Sequence, residues 1–192
     1  RYTDRAGRTR RGAKAKGGPA AVCRPLNGFD VSAALHARSG METSRRCQVA
    51  VVAVDAETRA VEVLRSVIVY DSGREINRLI VEGQLHGGLA HGIGYALFEE
   101  AIFEPDGQFR SPSFIEYCIP SAPEIAFAPL LVPRSTHTDS NPEGITGAGE
   151  TGTTAATAAI AAAVESALRQ VRPDAMVSDM QMHPPRVRQM LG

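Results

Sequence analysis

The sequence predicts an α+β fold, with mixed-sheet hairpins set beside one glycine-rich helix and one alanine-rich helix. Three stretches carry that expectation. The β-branched runs QVAVVAVD, from Gln48, and VEVLRSVIVYD, from Val61, flank Ala56-Glu-Thr-Arg59 and read as a hairpin. Residues 77–100 repeat their apolar side chains at helical spacing. Residues 154–170 are crowded with alanine, the strongest helix former.

The near-continuous apolar content of the hairpin implies strands covered on both faces, or covered on one face with the other at an interface. Asp71-Ser-Gly-Arg-Glu75 then breaks the run with turn-forming residues. In the helix that follows, Leu85, Leu89, Ile93 and Ala96 define a core stripe. Gly83, Gly87, Gly88, Gly92 and Gly94 each weaken it by roughly 1 kcal/mol relative to alanine, so a close backbone approach must require some of them. Gln84, Gly88, His91 and Tyr95 share one narrow polar face. That face is either a smooth ligand surface or a seam packed on another backbone, with Gln84 and His91 in ordinary hydrogen bonds. His86 and His91 lie five apart and turn away from each other, which excludes a two-histidine metal face.

Downstream, Asp106-Gly107 predicts a second hairpin between AIFEP and SPSFIEYCIP, closed by Pro120. Residues 125–133 read as an edge strand, because Pro129 and Pro133 cannot donate to a ladder. A polar loop leads to the alanine-rich helix, expected from about Thr154 to Gln170 and ended by Arg172-Pro-Asp174. The tail is expected to hold a short strand and a final helical turn, with Met180 and Met182 as core residues.

Residues 1–46 divide from residues 47–192 in texture. They carry eleven Lys/Arg against three Asp/Glu, where the rest of the chain carries ten against eighteen. Low apolar content predicts a disordered basic arm, with a short helical turn around Val31 to Ala37. The arm lacks interleaved aromatics, having only Tyr2 and Phe29, which argues against a nucleic-acid partner. Cys23, Cys47 and Cys118 show no CxxC pattern and read as reduced thiols. No apolar run spans a membrane and no secretory h-region is present, so the expectation is a cytoplasmic chain with no membrane partner.

Between the polar loop and the alanine-rich helix lies GITGAGETGTT, residues 144–154. Its glycines at 144, 147, 149 and 152 admit inward-pointing amides, and Thr153 or Thr154 is placed to cap the helix, favouring an anion nearby. A tight loop with Glu150 solvated fits the same residues. The spacing Gly147-x-Gly149-x-x-Gly152 matches a dinucleotide fingerprint, but no strand runs into it and Asp174 follows a proline instead of ending a strand. No G-x-S-x-G elbow exists, and neither Ser111 nor Ser113 has a base beside it.

Taken together and in order, VIVYDSGREIN, LIVEGQLHGGLAHGIGYALFEE, PDGQ, SFIEYCIP and SNPEGITGAGETGTTAATAAIAAAVESAL resemble the C-terminal part of the molybdopterin-binding large subunit of the xanthine dehydrogenase, aldehyde oxidase and aerobic carbon monoxide dehydrogenase family. The GQxHGGxAxGIG block is most similar to the carbon monoxide dehydrogenase-like branch. The resemblance implies a partial molybdenum cofactor-binding domain over residues 47–192. It also implies a molybdenum-pterin cofactor, as molybdopterin or its cytosine dinucleotide form, with iron–sulfur clusters and FAD on partner subunits or domains. By the same resemblance Glu150 is the general base, accepting a proton from the oxygen that attacks an electron-poor carbon of a small-molecule substrate. Gln84 matches the glutamine that hydrogen-bonds the pterin, and His91 stands where the family has a second glutamine. Gly149, Thr151, Gly152 and Thr153 fall beside the metal and cofactor. Family subunits are several times longer, so the expectation is a fragment, inactive without the upstream part of the molybdenum subunit and without its iron–sulfur and flavin partners. The alternative is a non-catalytic interaction module with a basic arm.

Overall fold

A computed structural model describes residues 45–192 in full and, before them, the backbone of the strands β1 (Tyr2–Thr3), β2 (Thr9–Arg10), β3 (Ala21–Cys23) and β4 (Gly28–Ala37). β1 and β2 form a separate two-stranded ribbon. β3 and β4 join β5 (Arg45–Asp55), β6 (Val61–Asp71) and β7 (Leu130–Arg134) in a five-stranded mixed sheet in that order. All its pairs are antiparallel except β6 with β7, and the crossover between those two contains α1 (Arg78–Leu97).

The predicted hairpin is β5–β6, with a bulge between Val51 and Val52. Its turn is closed by Asp55, whose Oδ1 accepts the amides of Glu57 at 2.9 Å and Thr58 at 2.7 Å. One face is buried, through Ala50, Val52, Val54, Val63, Ile68 and Tyr70, while Val49, Val51, Val67 and Val69 on the other are half-buried. The expected edge strand is β7, shorter than foreseen and carrying Pro133 at the sheet's margin.

α1 is capped by Asn77, whose Oδ1 accepts the Ile80 amide at 3.3 Å, and it buries the expected Leu85, Leu89, Ile93 and Ala96. The alanine-rich segment is split into a one-turn α2 (Thr151–Thr154) and α3 (Ala156–Leu168). α3 lies over β4 and β5 and joins α1 and the sheet in a single core through Ile160, Ala163, Val164 and Leu168. Close approach is the role of Gly92, where a Cβ would lie 2.3 Å from the Ala156 Cβ. The chain ends with α4 (Pro184–Leu191), capped by the His183 Nδ1.

Four expectations are corrected. The segment expected to form a helical turn at Val31–Ala37 is strand β4, in continuous register with β5. Its sequence alternates Phe29, Val31, Ala33 and Leu35 with Asp30, Ser32, Ala34 and His36, a period of two that the basic surroundings masked. The rest of the disorder expected in residues 1–46 falls largely outside the described residues. The second hairpin shrinks to one bridge, Phe103 with Phe109, and residues 111–120 form turns, because serines and prolines interrupt the apolar run. The tail holds no strand, and Met182 is buried whereas Met180 is 36% exposed.

Candidate functional site

Two turns are stitched together at the end of β6. The Asp71 Oδ1 accepts the amides of Gly73 at 3.0 Å and Thr136 at 2.9 Å. Burial pushes the Asp71 carboxyl up, but hydrogen bonds from Thr136 and Gly73 and the Arg45 charge more than reverse this, leaving it below the usual carboxylate value. The glycine-rich stretch runs against this turn. Thr146 donates its amide to the Ser72 carbonyl at 3.0 Å, Arg74 donates to the Gly144 carbonyl at 2.9 Å, and Gly73 bridges Ile145. Gly73 and Gly144 both have positive φ, 65° and 67°, and a Cβ on Gly73 would lie 2.3 Å from the Gly144 oxygen.

This stitching delivers the chain to Glu150, the N-cap residue of α2. Its carbonyl accepts the amides of Thr153 at 3.2 Å and Thr154 at 3.1 Å, and the Thr154 hydroxyl at 2.8 Å. The backbone of Glu150 is therefore held while its side chain is exposed. The described residues leave the Glu150 carboxylate unenclosed. The foreseen threonine cap is absent, because the Thr154 hydroxyl folds back on Glu150 and the helix breaks at Ala155. With one turn before the break, α2 offers little of the dipole that a long helix starting there would supply.

Thr151 and Gly152 are buried, Thr153 is half-buried and Gly149 is exposed. Gly152 is wedged against α1, where a Cβ would lie 2.5 Å from the Leu85 carbonyl oxygen. Facing it, a Cβ on Gly88 would lie 2.8 Å from both the Gly152 Cα and the Thr153 nitrogen. Gln84 and His91 sit one turn to either side of Gly88 on the same helix face, and both are exposed. The His91 ring rests against Tyr95, with centroids 4.4 Å apart. The structure thus brings the sequence-predicted residues to one junction of α1 and α2. As the packed-seam reading expects, Gly88 seats the backbone of Gly152 and Thr153 and Gly92 seats the Ala156 side chain, while no described atom lies within 4 Å of a Cβ built on Gly83, Gly87, Gly147 or Gly149.

Several buried polar groups were missed by the sequence reading. Gln48 lies beneath α2, and its Nε2 donates to the Gly152 carbonyl at 3.5 Å. Its signal was available: it is the one polar residue on the inward register 48, 50, 52, 54 of an otherwise apolar strand end. Arg46, the cross-strand partner of Tyr70, is also buried. Burial and the Glu75 carboxylate push the Tyr70 phenol up to about 12. A separate cleft of about 260 Å³ is lined by Phe109, Ser111, Pro112, Ser113, Phe114 and Tyr117 and includes none of the Glu150 site. Among the described residues no cluster of three or more His, Cys, Asp or Glu could hold a metal, and no helix is long and apolar enough to cross a membrane.

Comparison with known proteins shows what the chain is similar to. The family model described as a molybdopterin cofactor-binding domain matches residues 30–126, so the match begins inside β4. The chain is 39% identical over 117 residues to the gamma subunit of the 6-hydroxypseudooxynicotine dehydrogenase complex of Paenarthrobacter nicotinovorans, covering 61% of this chain and 15% of that protein. It is 35% identical over 114 residues to a putative xanthine dehydrogenase molybdenum-binding subunit of Escherichia coli, covering 54% of this chain and 15% of the relative. Among solved structures, quinoline 2-oxidoreductase from Pseudomonas putida aligns with a TM-score of 0.71 and 33% identity over 77% of this chain and 18% of that one. The chain therefore spans less than a fifth of the length of these relatives.

Proposed function

Because this chain belongs to the molybdopterin cofactor-binding domain family, we propose that it is the C-terminal, base-bearing portion of a molybdenum hydroxylase, with Glu150 as the general base. The observation that carries the reading is the junction itself: α2 is seated glycine-to-glycine on α1, so the held backbone of Glu150 and the exposed side chains of Gln84 and His91 are gathered around one contact.

The residues fit a pterin cofactor. Bare glycine backbone at Gly83, Gly87, Gly147 and Gly149 leaves room for a flat, polar group, and the amide of Gln84 and the imidazole of His91 offer hydrogen bonds at its edge. Gly149, Thr151, Gly152 and Thr153 form the backbone beside it, which a dinucleotide extension could follow. When bound, the molybdenum-pterin group supplies the two-electron oxidation. This chain's part is to orient that group through Gln84 and His91 and to place a Glu150 carboxylate oxygen where it accepts the proton of a water-derived nucleophile. Enclosure by further protein would exclude bulk water from that carboxylate, leaving it to act on the bound nucleophile. The substrate classes are an aldehyde, an N-heterocycle or carbon monoxide, with electrons leaving through iron–sulfur and FAD partners in the cytoplasm.

The enclosing protein is the upstream part of a molybdenum subunit, without which this segment is inactive. Ile76 just before α1, Leu79 and Ile80 in its first turn, and Phe114 and Ile115 are 60–86% exposed, which supports burial against another surface. The same observation favours the second reading, a non-catalytic interaction module. Molybdenum and pterin analysis of the chain, alone and co-expressed with candidate partner subunits, separates the two. Cofactor in the assembled form is expected, and none under either condition rejects the first reading. In the loaded assembly Glu150→Gln is expected to retain metal and lose turnover, and unchanged turnover removes Glu150 from the role of base.

A further inference from the structure

The turn that carries Glu150 is gripped from the sheet by a side chain to which the proposed chemistry gives no part. Gln48 is 1% exposed, and its Nε2 reaches the Gly152 carbonyl across 104 residues of chain. The Oε1 of the same amide is buried with no hydrogen-bond partner among the described residues. An unmet buried acceptor destabilises a fold by about 1–3 kcal/mol, whereas an apolar side chain of the same shape can be neutral or stabilising. Methionine would fill this position without stranding a polar atom. The contact with the Gly152 carbonyl, 3.5 Å from Nε2, gives a glutamine here a role that an apolar side chain of the same shape could not fill.

That bond goes to a particular place. Gly152 lies between Glu150, the N-cap of α2, and the break at Ala155. On one side the turn is wedged against Leu85 and Gly88 of α1, and on the other Gln48 draws its carbonyl toward β5. We propose that Gln48 is a positioning residue, which anchors the Gly152 carbonyl, sets the pitch of the one-turn helix and so aims the Glu150 carboxylate. This rests on the reading of Glu150 as the base.

The test uses Gln48→Met, with Gln48→Leu as a second variant, in the chain and in its cofactor-loaded assembly. Thermal unfolding is expected to be unchanged or shifted upward. Amide exchange at Thr153 and Thr154, the donors to the Glu150 carbonyl, is expected to quicken about two- to tenfold, the range for loss of one ordinary hydrogen bond. In the loaded assembly kcat should fall with KM and molybdenum content unchanged. A lowered melting point with exchange at Thr153 and Thr154 unaltered makes Gln48 a packing residue and overturns the proposal. Quickened exchange with kcat unaltered overturns it too, provided Glu150→Gln has abolished turnover in the same assembly. If Glu150→Gln leaves turnover intact, the base reading has failed instead, and the exchange result alone decides whether Gln48 holds the turn.

Discussion

Gly88 and Gly152 meet backbone to backbone: a Cβ at position 88 would lie 2.8 Å from the Gly152 Cα, and one at 152 would lie 3.0 Å from the Gly88 Cα. Since both partners are main chain, neither can swing aside. Gly88→Ala is therefore expected to destabilise the fold by about 1–3 kcal/mol, the usual range for overpacking, less whatever helix propensity returns. Gly87→Ala, one residue away and facing open space, is expected to stabilise it by up to ~1 kcal/mol. Denaturant unfolding of the two variants checks this, and the opposite ranking would remove the contact as the reason for the glycine.

Gly87 also separates folding from function. Its open side belongs to the surface assigned to the cofactor, so the methyl group that stabilises α1 should crowd a bound pterin. A Gly87→Ala subunit is expected to melt higher than wild type and to carry less molybdenum per chain after assembly. Full loading would place the cofactor elsewhere on the helix.

How much of this was legible in the sequence depended on the range of the interaction. The core stripe Leu85, Leu89, Ile93 and Ala96 follows from local periodicity and appears as expected. The need for close approach at Gly88 and Gly92 was legible from the composition of the helix, but not which glycines met it, because the partners Gly152 and Ala156 lie over 60 residues away. Strand β4 was hidden by the charged residues around a clear alternation. The polar contacts of Gln48 and Asp71 depend on tertiary register, which no window of sequence contains. Glu150 was singled out by its glycine neighbours and by family resemblance, and the structure leaves its side chain exposed.

Asp71 makes the fold sensitive to acid. Its carboxyl lies below the ordinary value, so its contribution is complete above the unfolded pKa of about 3.9 and is lost as pH falls through the lower folded value. Stability should be flat from neutrality to about pH 5 and then decline. Asp71→Asn, which keeps an oxygen for the Gly73 and Thr136 amides, should reduce that decline and lower stability at neutral pH. Urea midpoints across the acid range measure both, and an unaltered acid slope in the variant would assign the decline to other carboxylates.

Tyr70 acts at the other end of the scale. Burial and the Glu75 carboxylate push its phenol up to about 12, against about 10 for an unfolded tyrosine. The raised value means that its contribution is complete below about pH 10 and is lost as pH rises toward 12. Tyrosinate absorbance should show a late-titrating component that Tyr70→Phe removes. A variant with the same late component would mean that another tyrosine provides it.

Met180 and Met182 test how the C-terminal segment is attached. The Met182 amide donates to the Ala96 carbonyl at 2.8 Å, and its side chain is 1% exposed in the core shared by α1 and α3. Two residues earlier Met180 is 36% exposed, and the positive φ of Gln181, 55°, marks the turn between them. Arg186 pairs with Glu100 at 3.1 Å, holding the start of α4 near the end of α1. Met182→Ala should therefore leave a cavity and destabilise the fold by about 2–5 kcal/mol, while Met180→Ala should stay within about 0.5 kcal/mol. Equal effects in denaturant unfolding would mean that the segment does not dock through Met182, and that the ion pair to Glu100 carries the attachment instead.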